Sequence, residues 1–369
     1  VLTPVLNEEE HIRATVASMV RQEFDGEIEF LFIDGRSSDR TKAILEELSA
    51  SDPRIRVLDN PDRTTAYALN IGLAASRGRY VARMDHDDIS LPRRFARQVA
   101  FLDAHPDVAI CGTWVRMFSG GWRRDRKLEP DSERIRCLFL MFNVLSHPSV
   151  MIRRDVLERH ALRYDESFES AEDYDLWTRT SWVSKLSNIP DVLLLHRVHP
   201  AQISQRGKPR QLDEAGFVRS RELERLGVRF EPDEAEFHRT LYARDVTPNE
   251  AWLAPAERWL TRILSANEKT RLLDPRVLAA TLLDHVLLTY ARGVGVQPAA
   301  YRPFLRGTLR RAIEPDALLS LAWRTITGRI DDRRRLVTAP PQSTREIARQ
   351  ETVQPQSAPP KTAEPGSVR

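Results

Sequence analysis

Short apolar runs and amphipathic stretches alternate along the first 200 residues. The apolar runs are typical of strands buried in a parallel sheet, where polar and apolar positions need not alternate. They span residues 1–6, 29–34, 54–58 and 79–84. Between them, apolar residues recur three and four positions apart, which predicts helices at 41–48 and 65–76 as well as after the first run. This alternation has the spacing of βαβ units and predicts an α/β fold with a mostly parallel central sheet.

The first predicted helix begins with a polar cap. Asn7 is a typical N-cap residue, and acids at 8–10 would fill the first turn, where they interact favourably with the positive end of a helix. We therefore expect this helix to start directly after Asn7. The run before it reads as the end of a strand, so a few residues of that strand are expected to precede Val1.

The pattern changes near residue 205. Up to that point helices are predicted at 92–104, 131–142 and 173–184, and strands at 108–118, 149–153 and 192–199. Beyond it, helical stretches follow one another, and the clearest opens with Asp274 and Pro275, a cap and a first-turn proline. We predict an α/β domain over 1–205, a helical domain over 206–337, and a disordered Pro/Gln-rich tail over 338–369.

Composition narrows the class of protein. The 56 basic and 53 acidic residues give a net charge of +3, which argues against a general nucleic-acid binder. Cys111 and Cys137 have neither metal-ligand spacing nor a disulfide framework, which favours a reducing compartment. The longest apolar stretch, 277–291, is interrupted by Asp284 and His285, and there is no pattern typical of a signal peptide. A cytoplasmic protein is expected.

Three carboxylates follow the run at 79–84 within four residues. In an extended chain, residues two apart point the same way, so Asp85 and Asp87 could converge on one cation. Such oxygen ligands suit Mg²⁺ or Mn²⁺, and the C-terminal ends of parallel strands are where open α/β sheets bind ligands. The alternative is a solvated turn in which acids such as Asp88 cap the following helix.

This acid cluster is accompanied by other short motifs in a particular order. They are Thr3-Pro4-Val5-Leu6-Asn7-Glu8-Glu9, Ile33-Asp34-Gly35, Asn70-Ile71-Gly72, Glu172-Asp173-Tyr174-Asp175-Leu176-Trp177 and Arg197-Val198-His199. Together they resemble the family 2 glycosyltransferases over roughly residues 1–205. The resemblance implies a GT-A-type, Rossmann-like sandwich, and the family's Asp-X-Asp motif matches Asp85-His86-Asp87.

The resemblance also implies a cation site. Asp85, Asp87 and His199 would be the ligands of Mn²⁺ or Mg²⁺, which stabilises charge on a leaving diphosphate. Asp85 could instead reach the ribose or a water bound to the metal. Arg197 would neutralise phosphate from the same strand face as His199, although a single arginine is more often a surface residue.

A nucleotide site is implied at the ends of the first strands. Asp34 resembles the family's nucleobase-binding aspartate, with Pro4 and Glu8 or Glu9 beside it, and Arg63 could contact the base or a phosphate. Alternatively, Asp34 is a turn former and the glutamates are ordinary first-turn acids. Here the sequence reads Asp-Gly-Arg-Ser-Ser where the family commonly has Asp-Asp-Gly-Ser, so a UDP or dTDP donor is expected but the nucleoside stays open.

Asp173 matches the family's catalytic base. One carboxylate would remove the proton of an acceptor hydroxyl as that oxygen attacks the anomeric carbon, and this single displacement inverts the configuration. Neighbouring Glu172 and partial burial would raise the pKa of Asp173, as suits a base. The alternative is an acidic helix start. His147, in Ser146-His147-Pro148-Ser149, is given no role.

The predicted activity is that of a metal-dependent, inverting, hexosyltransferase-type glycosyltransferase. It would act on a sugar or lipid-linked acceptor in cell-surface polysaccharide or glycolipid synthesis. The chain has no Gln-X-X-Arg-Trp sequence, which argues against a processive synthase. The sequence does not indicate an oligomeric state.

Two other classes stay open at this point. A sugar-phosphate nucleotidyltransferase would carry a glycine-rich loop where residues 4–10 stand. A non-enzymatic module at a membrane surface is suggested by the basic stretches at 123–127 and 333–335, although such stretches are usually solvated. The same stretches would allow peripheral contact with the inner face of the membrane.

Overall fold

The computed structural model describes residues 1–199, 208–243 and 246–294. The predicted tail at 338–369, the basic stretch at 333–335 and the part of the predicted helical domain beyond 294 lie outside these residues. None of the helices in the described ranges combines the length and the apolarity that crossing a membrane requires.

The first part of the chain forms a three-stranded parallel sheet with helices between the strands. Its strands are β1 (Leu2–Val5), β2 (Phe30–Asp34) and β3 (Ile55–Asp59), and its helices are α1 (Ile12–Val20), α2 (Thr41–Ser51) and α3 (Thr65–Ala75). Every residue of β2 is buried, which explains its unbroken apolar run. The strands and helices predicted for this part are confirmed to within a few residues.

A second, mixed sheet continues the first. Its strands are β4 (Tyr80–Ala82), β5 (Ile89–Ser90), β6 (Val108–Ser119), β7 (Trp122–Arg126), β8 (Met151–Arg153) and β9 (Lys185–Arg197). They lie in the order β4-β8-β6-β9-β5, with β7 on β6; β6 and β9 are parallel and the other pairs antiparallel. A parallel bridge between Leu2 and Arg83, with the Met84 N–H 3.0 Å from the Leu2 carbonyl, joins β4 to β1.

This bridge creates a topological switch point. The chain passes from β1 to β2 and β3 on one side and then returns to place β4 on the other side of β1. The connections leaving β1 and β4 therefore diverge and open a crevice at the C-terminal ends of the two strands, where α/β sheets bind ligands.

The remaining elements of the described ranges are helical. They are α4 (Arg94–Ala104), α5 (Ser132–Leu138), a 3-10 helix (His147–Ser149), α6 (Arg154–Arg159), α7 (Glu172–Ser181), α8 (Lys208–Arg225), α9 (Pro232–Thr240), α10 (Glu250–Thr270) and α11 (Pro275–Val294). The predicted cap of α11 is confirmed, because the Asp274 carboxylate accepts the N–H groups of Arg276 and Val277, each at 2.9 Å.

One hydrophobic cluster runs through both predicted domains. It contains Leu31 and Trp177 from the α/β part together with Val218, Trp259 and Leu282 from the helical part. The helices after residue 208 therefore pack directly against the sheet assembly. The division at 205 and 337 stays a proposal.

The predicted cap of α1 is wrong. Asn7 does not cap α1: its φ is +52°, α1 begins only at Ile12, and residues 8–10 lie before the helix. The left-handed turn directs the Asn7 side chain to the Ser38 N–H, 2.7 Å away, so that it ties the loop after β1 to the loop after β2. The basic stretch at 123–127 is largely strand β7, paired with β6.

A candidate active site at the switch point

The ends of β1, β2 and β4 bring several predicted residues to one edge of the sheet. Asp34 is the last residue of β2, Glu8 follows β1, and Asp85 follows β4. Because these strands run parallel, their C-terminal ends lie side by side. The crevice predicted from the topology is therefore lined with carboxylates.

The acid loop bends, and the extended-chain argument for Asp85 and Asp87 does not apply. With bends at positions 86 and 87, ligand atoms of Asp85, Asp88 and His196 lie within 4.8 Å of one another. Asp87 is paired elsewhere: its Oδ2 is 3.0 Å from Nε2 of His199. The proposed ligands thus fall into two neighbouring groups, one around Asp85 and one around Asp87.

Asp88 is not a helix cap, and that interpretation is wrong. It is fully buried, accepts the Arg197 N–H at 2.8 Å and lies 3.0 Å from Nδ1 of His196. Burial raises the pKa of Asp88, and burial alone would lower that of His196. The carboxylate outweighs burial at the imidazole and raises the pKa of His196 to about 9. This pair fastens the acid loop to β9.

Arg197 supports the same loop through its backbone and side chain. Its Nε donates to the Asp87 carbonyl at 3.0 Å, and its guanidinium lies 4.7 Å from the ring centre of Phe118. The residue is therefore held against the acid loop.

Glu8 belongs to this site through two histidines. Its carboxylate bonds to His11 and lies 3.3 Å from Nδ1 of His86, and the His11 ring stacks on His199 at 6.2 Å. Burial raises the pKa of Glu8, but the bonds to the two imidazoles outweigh it and lower the pKa to about 2. Glu8 is thus an anion that orders both histidines around the Asp87 group.

Glu9 and Pro4 are placed differently from Glu8. The Glu9 carboxylate accepts the Arg40 N–H at 2.9 Å, at the start of α2. Pro4 lies within β1, half-buried and in register with Ile33. These contacts direct Glu9 towards α2 and leave Glu8 as the glutamate of this turn that reaches the acid loop.

Asp34 and Arg63 lie on adjacent loops at the sheet edge. Asp34 is buried and accepts the Ser37 N–H at 3.2 Å, so it does form the turn that was the alternative interpretation. Its carbonyl accepts the Asn60 N–H at 2.7 Å, and Asn60 in turn holds the loop carrying Arg63. Arg63 is exposed, with a φ of +71°.

The predicted base lies in the first turn of α7. Oδ2 of Asp173 accepts a hydrogen bond from the Asn143 amide at 2.8 Å, and its Oδ1 accepts the Tyr174 N–H at 2.6 Å. Burial raises the pKa of Asp173 to about 6. Burial and the charge of Asp173 raise the pKa of Glu172 to about 8. A raised pKa at Asp173 is the direction that a general base requires.

His147, which was given no role, lies beside these two acids. Its Nδ1 is 3.7 Å from Glu172 and 3.9 Å from Asp173, while its Nε2 lies 3.0 Å from the hydroxyl of Tyr164. Burial lowers the pKa of His147 well below its usual value, so the ring is neutral. The 3-10 helix that contains it supplies its position, and the sequence signal was the Ser-His-Pro-Ser segment.

Arg83 links Asp85 electrostatically to the Glu172–Asp173 pair. It is buried, and its Nη1 lies 2.5 Å from Oδ1 of Asp85. Burial would raise the pKa of Asp85, but Arg83 outweighs it and holds that pKa well below its usual range. The same cation opposes the effect of burial on Glu172 and Asp173. The charge of one buried guanidinium therefore acts both on Asp85 and on the Glu172–Asp173 pair.

Arg126 approaches the base from β7. It belongs to the stretch that was expected to be a solvated face, yet burial lowers its pKa and Asp173 is the charge that opposes this effect. Reciprocally, Arg126 acts on Asp173 in the direction of a lower pKa. The β6–β7 hairpin thus supplies a positive charge that acts on the predicted base.

Comparison with known proteins identifies the family. The family model described as Glycosyl transferase family 2 matches residues 1–161. An uncharacterized glycosyltransferase of Haemophilus influenzae is 28% identical over 218 residues, 55% of this chain and 66% of the relative. The chain thus spans about two thirds of that protein.

Two further relatives carry descriptive names. The amylovoran biosynthesis glycosyltransferase AmsE of Erwinia amylovora is 30% identical over 211 residues, 56% of this chain and 78% of that protein. The O-antigen biosynthesis glycosyltransferase WbnJ of Escherichia coli is 25% identical over 207 residues, covering 54% and 79%.

Solved structures share the fold. The crystal structure of S. aureus TarS 1-349 in complex with UDP-GlcNAc has a TM-score of 0.52 at 15% identity, covering 83% of this chain and 91% of that 1-349 fragment. The corresponding complex with UDP gives a TM-score of 0.50 with the same identity and coverage. The predicted GT-A-type architecture is confirmed.

Proposed function

Since the chain belongs to glycosyl transferase family 2 and is a glycosyltransferase, we propose that it moves a sugar from a nucleotide-diphosphate donor to an acceptor hydroxyl, with a divalent cation and with inversion. The observation that carries the proposal is that the buried Arg83 guanidinium is paired with Asp85 and that its charge also acts on Glu172 and Asp173. Transfer requires the diphosphate site and the base to face one cleft, and a shared buried cation supports this.

The residues of the acid loop fit a divalent cation. Carboxylate oxygens and imidazole nitrogens are ligands that Mn²⁺ accepts together, whereas Mg²⁺ prefers oxygens alone. Asp85, Asp87 and His199 are the proposed ligands, and the grouping of Asp85 with Asp88 and His196 offers a second set that shares Asp85. A cation bound there supplies charge stabilisation for the leaving diphosphate.

Asp173 is the proposed general base. It takes the proton of the acceptor hydroxyl as the acceptor oxygen bonds to the anomeric carbon and the bond from that carbon to the diphosphate breaks. A pKa of about 6 keeps the carboxylate ionised at neutral pH while leaving it basic enough to share the proton. The hydrogen bond from the Asn143 amide to Oδ2 of Asp173 restricts rotation of the carboxylate.

The donor is proposed to be UDP- or dTDP-linked. A buried carboxylate at the end of β2 can accept a pyrimidine ring N–H, and Asp34 has this position. Pro4 and Glu8 would lie along the nucleoside, with Glu9 at the outer side of the turn and Arg63 on the adjacent loop. Arg197 would approach the diphosphate from β9.

The acceptor is proposed to be a sugar or a lipid-linked sugar in polysaccharide or glycolipid synthesis. Support comes from the relatives whose names state amylovoran and O-antigen biosynthesis. A lipid-linked acceptor is held in a membrane, so we propose a cytoplasmic enzyme with peripheral membrane contact. Flotation with anionic and neutral vesicles tests this: absence of binding to anionic vesicles at moderate salt excludes it.

A donor panel tests the proposed reaction. Release of the nucleoside diphosphate is measured from UDP-, dTDP- and GDP-sugars with Mn²⁺ or Mg²⁺, in the presence of candidate acceptors. We expect cation-dependent release from one donor class and an inverted product linkage by NMR. Pyrophosphate production from a nucleoside triphosphate and a sugar phosphate would instead identify a nucleotidyltransferase.

A further inference from the structure

We propose that Glu214, on α8, is a positioning residue for the base-bearing helix α7. This inference rests on the proposed role of Asp173 as the general base. It gives the first helix of the region beyond residue 208 a task in the reaction, namely to hold the start of α7 in place.

The Glu214 carboxylate binds three successive backbone amides just before α7. Glu214 accepts the N–H groups of Glu169 at 3.1 Å, Ser170 at 2.8 Å and Ala171 at 3.1 Å. Ala171 is the N-cap residue of α7 and makes no side-chain cap. The N–H of the N-cap residue has no acceptor within the helix, and an anion is favoured at this end of the helix. Glu214, on α8, supplies both the acceptor and the negative charge.

Neighbours of Glu214 hold the same segment. Arg210, one turn earlier on α8, lies 2.6 Å from Glu169 and 2.9 Å from Glu214, and the Gln211 amide donates to the Ser170 carbonyl at 3.2 Å. Residues four apart lie on one face of a helix, so Arg210 and Glu214 act on the segment together. Burial raises the pKa of Glu214, but the Glu169 amide and Arg210 outweigh it and keep the group ionised.

The contact continues along the length of α7. Asp175, two residues after the base, is fully buried and lies 2.6 Å from Arg221 of α8 and 2.5 Å from Arg179. At the end of α7, the Trp182 indole donates to Glu222 at 2.6 Å. These contacts recur at positions 210, 214, 221 and 222, so one stripe of α8 lies along α7 from its start to its end.

Asp173 is sensitive to this arrangement because it lies in the first turn. A shift of residues 169–171 would move its carboxylate relative to Asn143 and Arg83, which come from other elements. Misplacement by about 1 Å can cost about 100-fold in rate. Glu214→Gln replaces one acceptor oxygen with an NH₂ group, which is itself a donor facing N–H donors.

The experiment compares Glu214→Gln with Asp213→Asn, an isosteric change at the exposed neighbouring acid. We expect kcat to fall about 10-fold or more in Glu214→Gln with an unchanged KM for the donor, because the donor residues lie on other elements. Amide hydrogen exchange of residues 169–175 should become faster in this variant, with the β1–β4 peptides unchanged. Glu214→Asp should recover part of the rate, and Asp213→Asn should match the wild type.

Two results would overturn the inference. One is a wild-type kcat with unchanged exchange at 169–175 in Glu214→Gln; the other is a raised donor KM with faster exchange throughout the molecule, which indicates general destabilisation. Asp173→Asn is measured in parallel. If it is inactive while Glu214→Gln is normal, only this inference fails; if it retains wild-type activity, the proposed base fails and the positioning role with it.

Discussion

Nη1 of Arg83 lies 2.5 Å from Oδ1 of Asp85, and the same buried guanidinium acts on Asp173, a residue 90 positions later. One side chain is therefore paired with a proposed cation ligand and also carries a charge that acts on the proposed base. Its charge holds the pKa of Asp85 well below the usual range. It also limits the rise that burial causes in the pKa of Asp173. The two halves of the proposed reaction are thus electrostatically linked before any substrate binds.

Replacing Arg83 should shift the acidic limb of the rate profile. In Arg83→Met the cation that opposes the effect of burial is lost, so the pKa of Asp173 rises and the limb moves to higher pH. The measurement is kcat/KM from pH 5 to 9. Arg79→Met, which removes an exposed arginine paired with Asp103, is the matched control and should leave the profile unchanged. An unshifted limb in Arg83→Met would contradict the link.

The wild-type profile should itself report the base. Asp173 must be ionised to accept a proton, so kcat/KM should rise as pH increases through about 6 and then level off. Asp173→Asn removes the base and should lower kcat about 100- to 10,000-fold, with the limb abolished in the residual rate. A limb that survives unchanged in Asp173→Asn would assign it to another group.

Removing the Asn143 amide should act in the same direction as removing Arg83. The amide stabilises the charged form of Asp173 through a 2.8 Å hydrogen bond, so Asn143→Ala should raise the pKa of Asp173 and slow the reaction at neutral pH. The rate should recover as pH is raised above the shifted limb. Failure to recover at high pH would show that the amide orients substrate instead.

Cation removal should abolish turnover. Dialysis against EDTA is expected to eliminate activity, and Mn²⁺ should restore it. Asp87→Asn should weaken Mn²⁺ binding, measured by titration with electron paramagnetic resonance, about 10-fold or more, since removing even an outer partner of a ligand costs that much. Asp62→Asn, at an exposed acid on the loop after β3, should bind Mn²⁺ as the wild type does. Equal Mn²⁺ affinity in both variants would exclude Asp87 as a ligand.

The buried ion pair between α7 and α8 should contribute to stability. Asp175→Ala leaves Arg221 and Arg179 without their carboxylate, at an expected cost of about 3 kcal/mol, the low end for a broken buried pair because both arginines keep some contact with water. Asp155→Ala breaks an exposed i,i+4 pair with Arg159 and should cost under about 0.5 kcal/mol. Urea unfolding measures both; similar losses would contradict the argument.

Local patterns were sufficient to predict the alternating strands and helices from β1 to β4, because each of those elements has its own periodicity. They were insufficient for β5 and β7. β5 is two residues long, and β7 is a polar stretch of Trp, Arg and Asp whose strand structure depends on pairing with β6. Such strands are determined by their partners and not by their own residues.

The candidate site was also only partly predictable from local patterns. Asp85, Asp87 and Asp173 were found because short motifs mark them, but the partners of these acids lie far away in the sequence. From its neighbours, Arg83 is predicted only to be a strand residue. The alternation of side chains along a strand places Arg197 and His199 on one face and His196 on the other. The bend at 86–87 then pairs Asp88 with His196 across 108 positions. No local pattern contains that contact.

The hydrophobic cluster that joins Leu31 and Trp177 to Trp259 and Leu282 has a consequence for engineering. An enzyme whose recognition region is a separate module can receive a new one by grafting at the linker. Here the two parts share their interior, so a graft at residue 205 would leave apolar side chains on both pieces exposed to water. Chimeras with relatives should succeed only when the facing side chains of the sheet assembly are exchanged together with the helices.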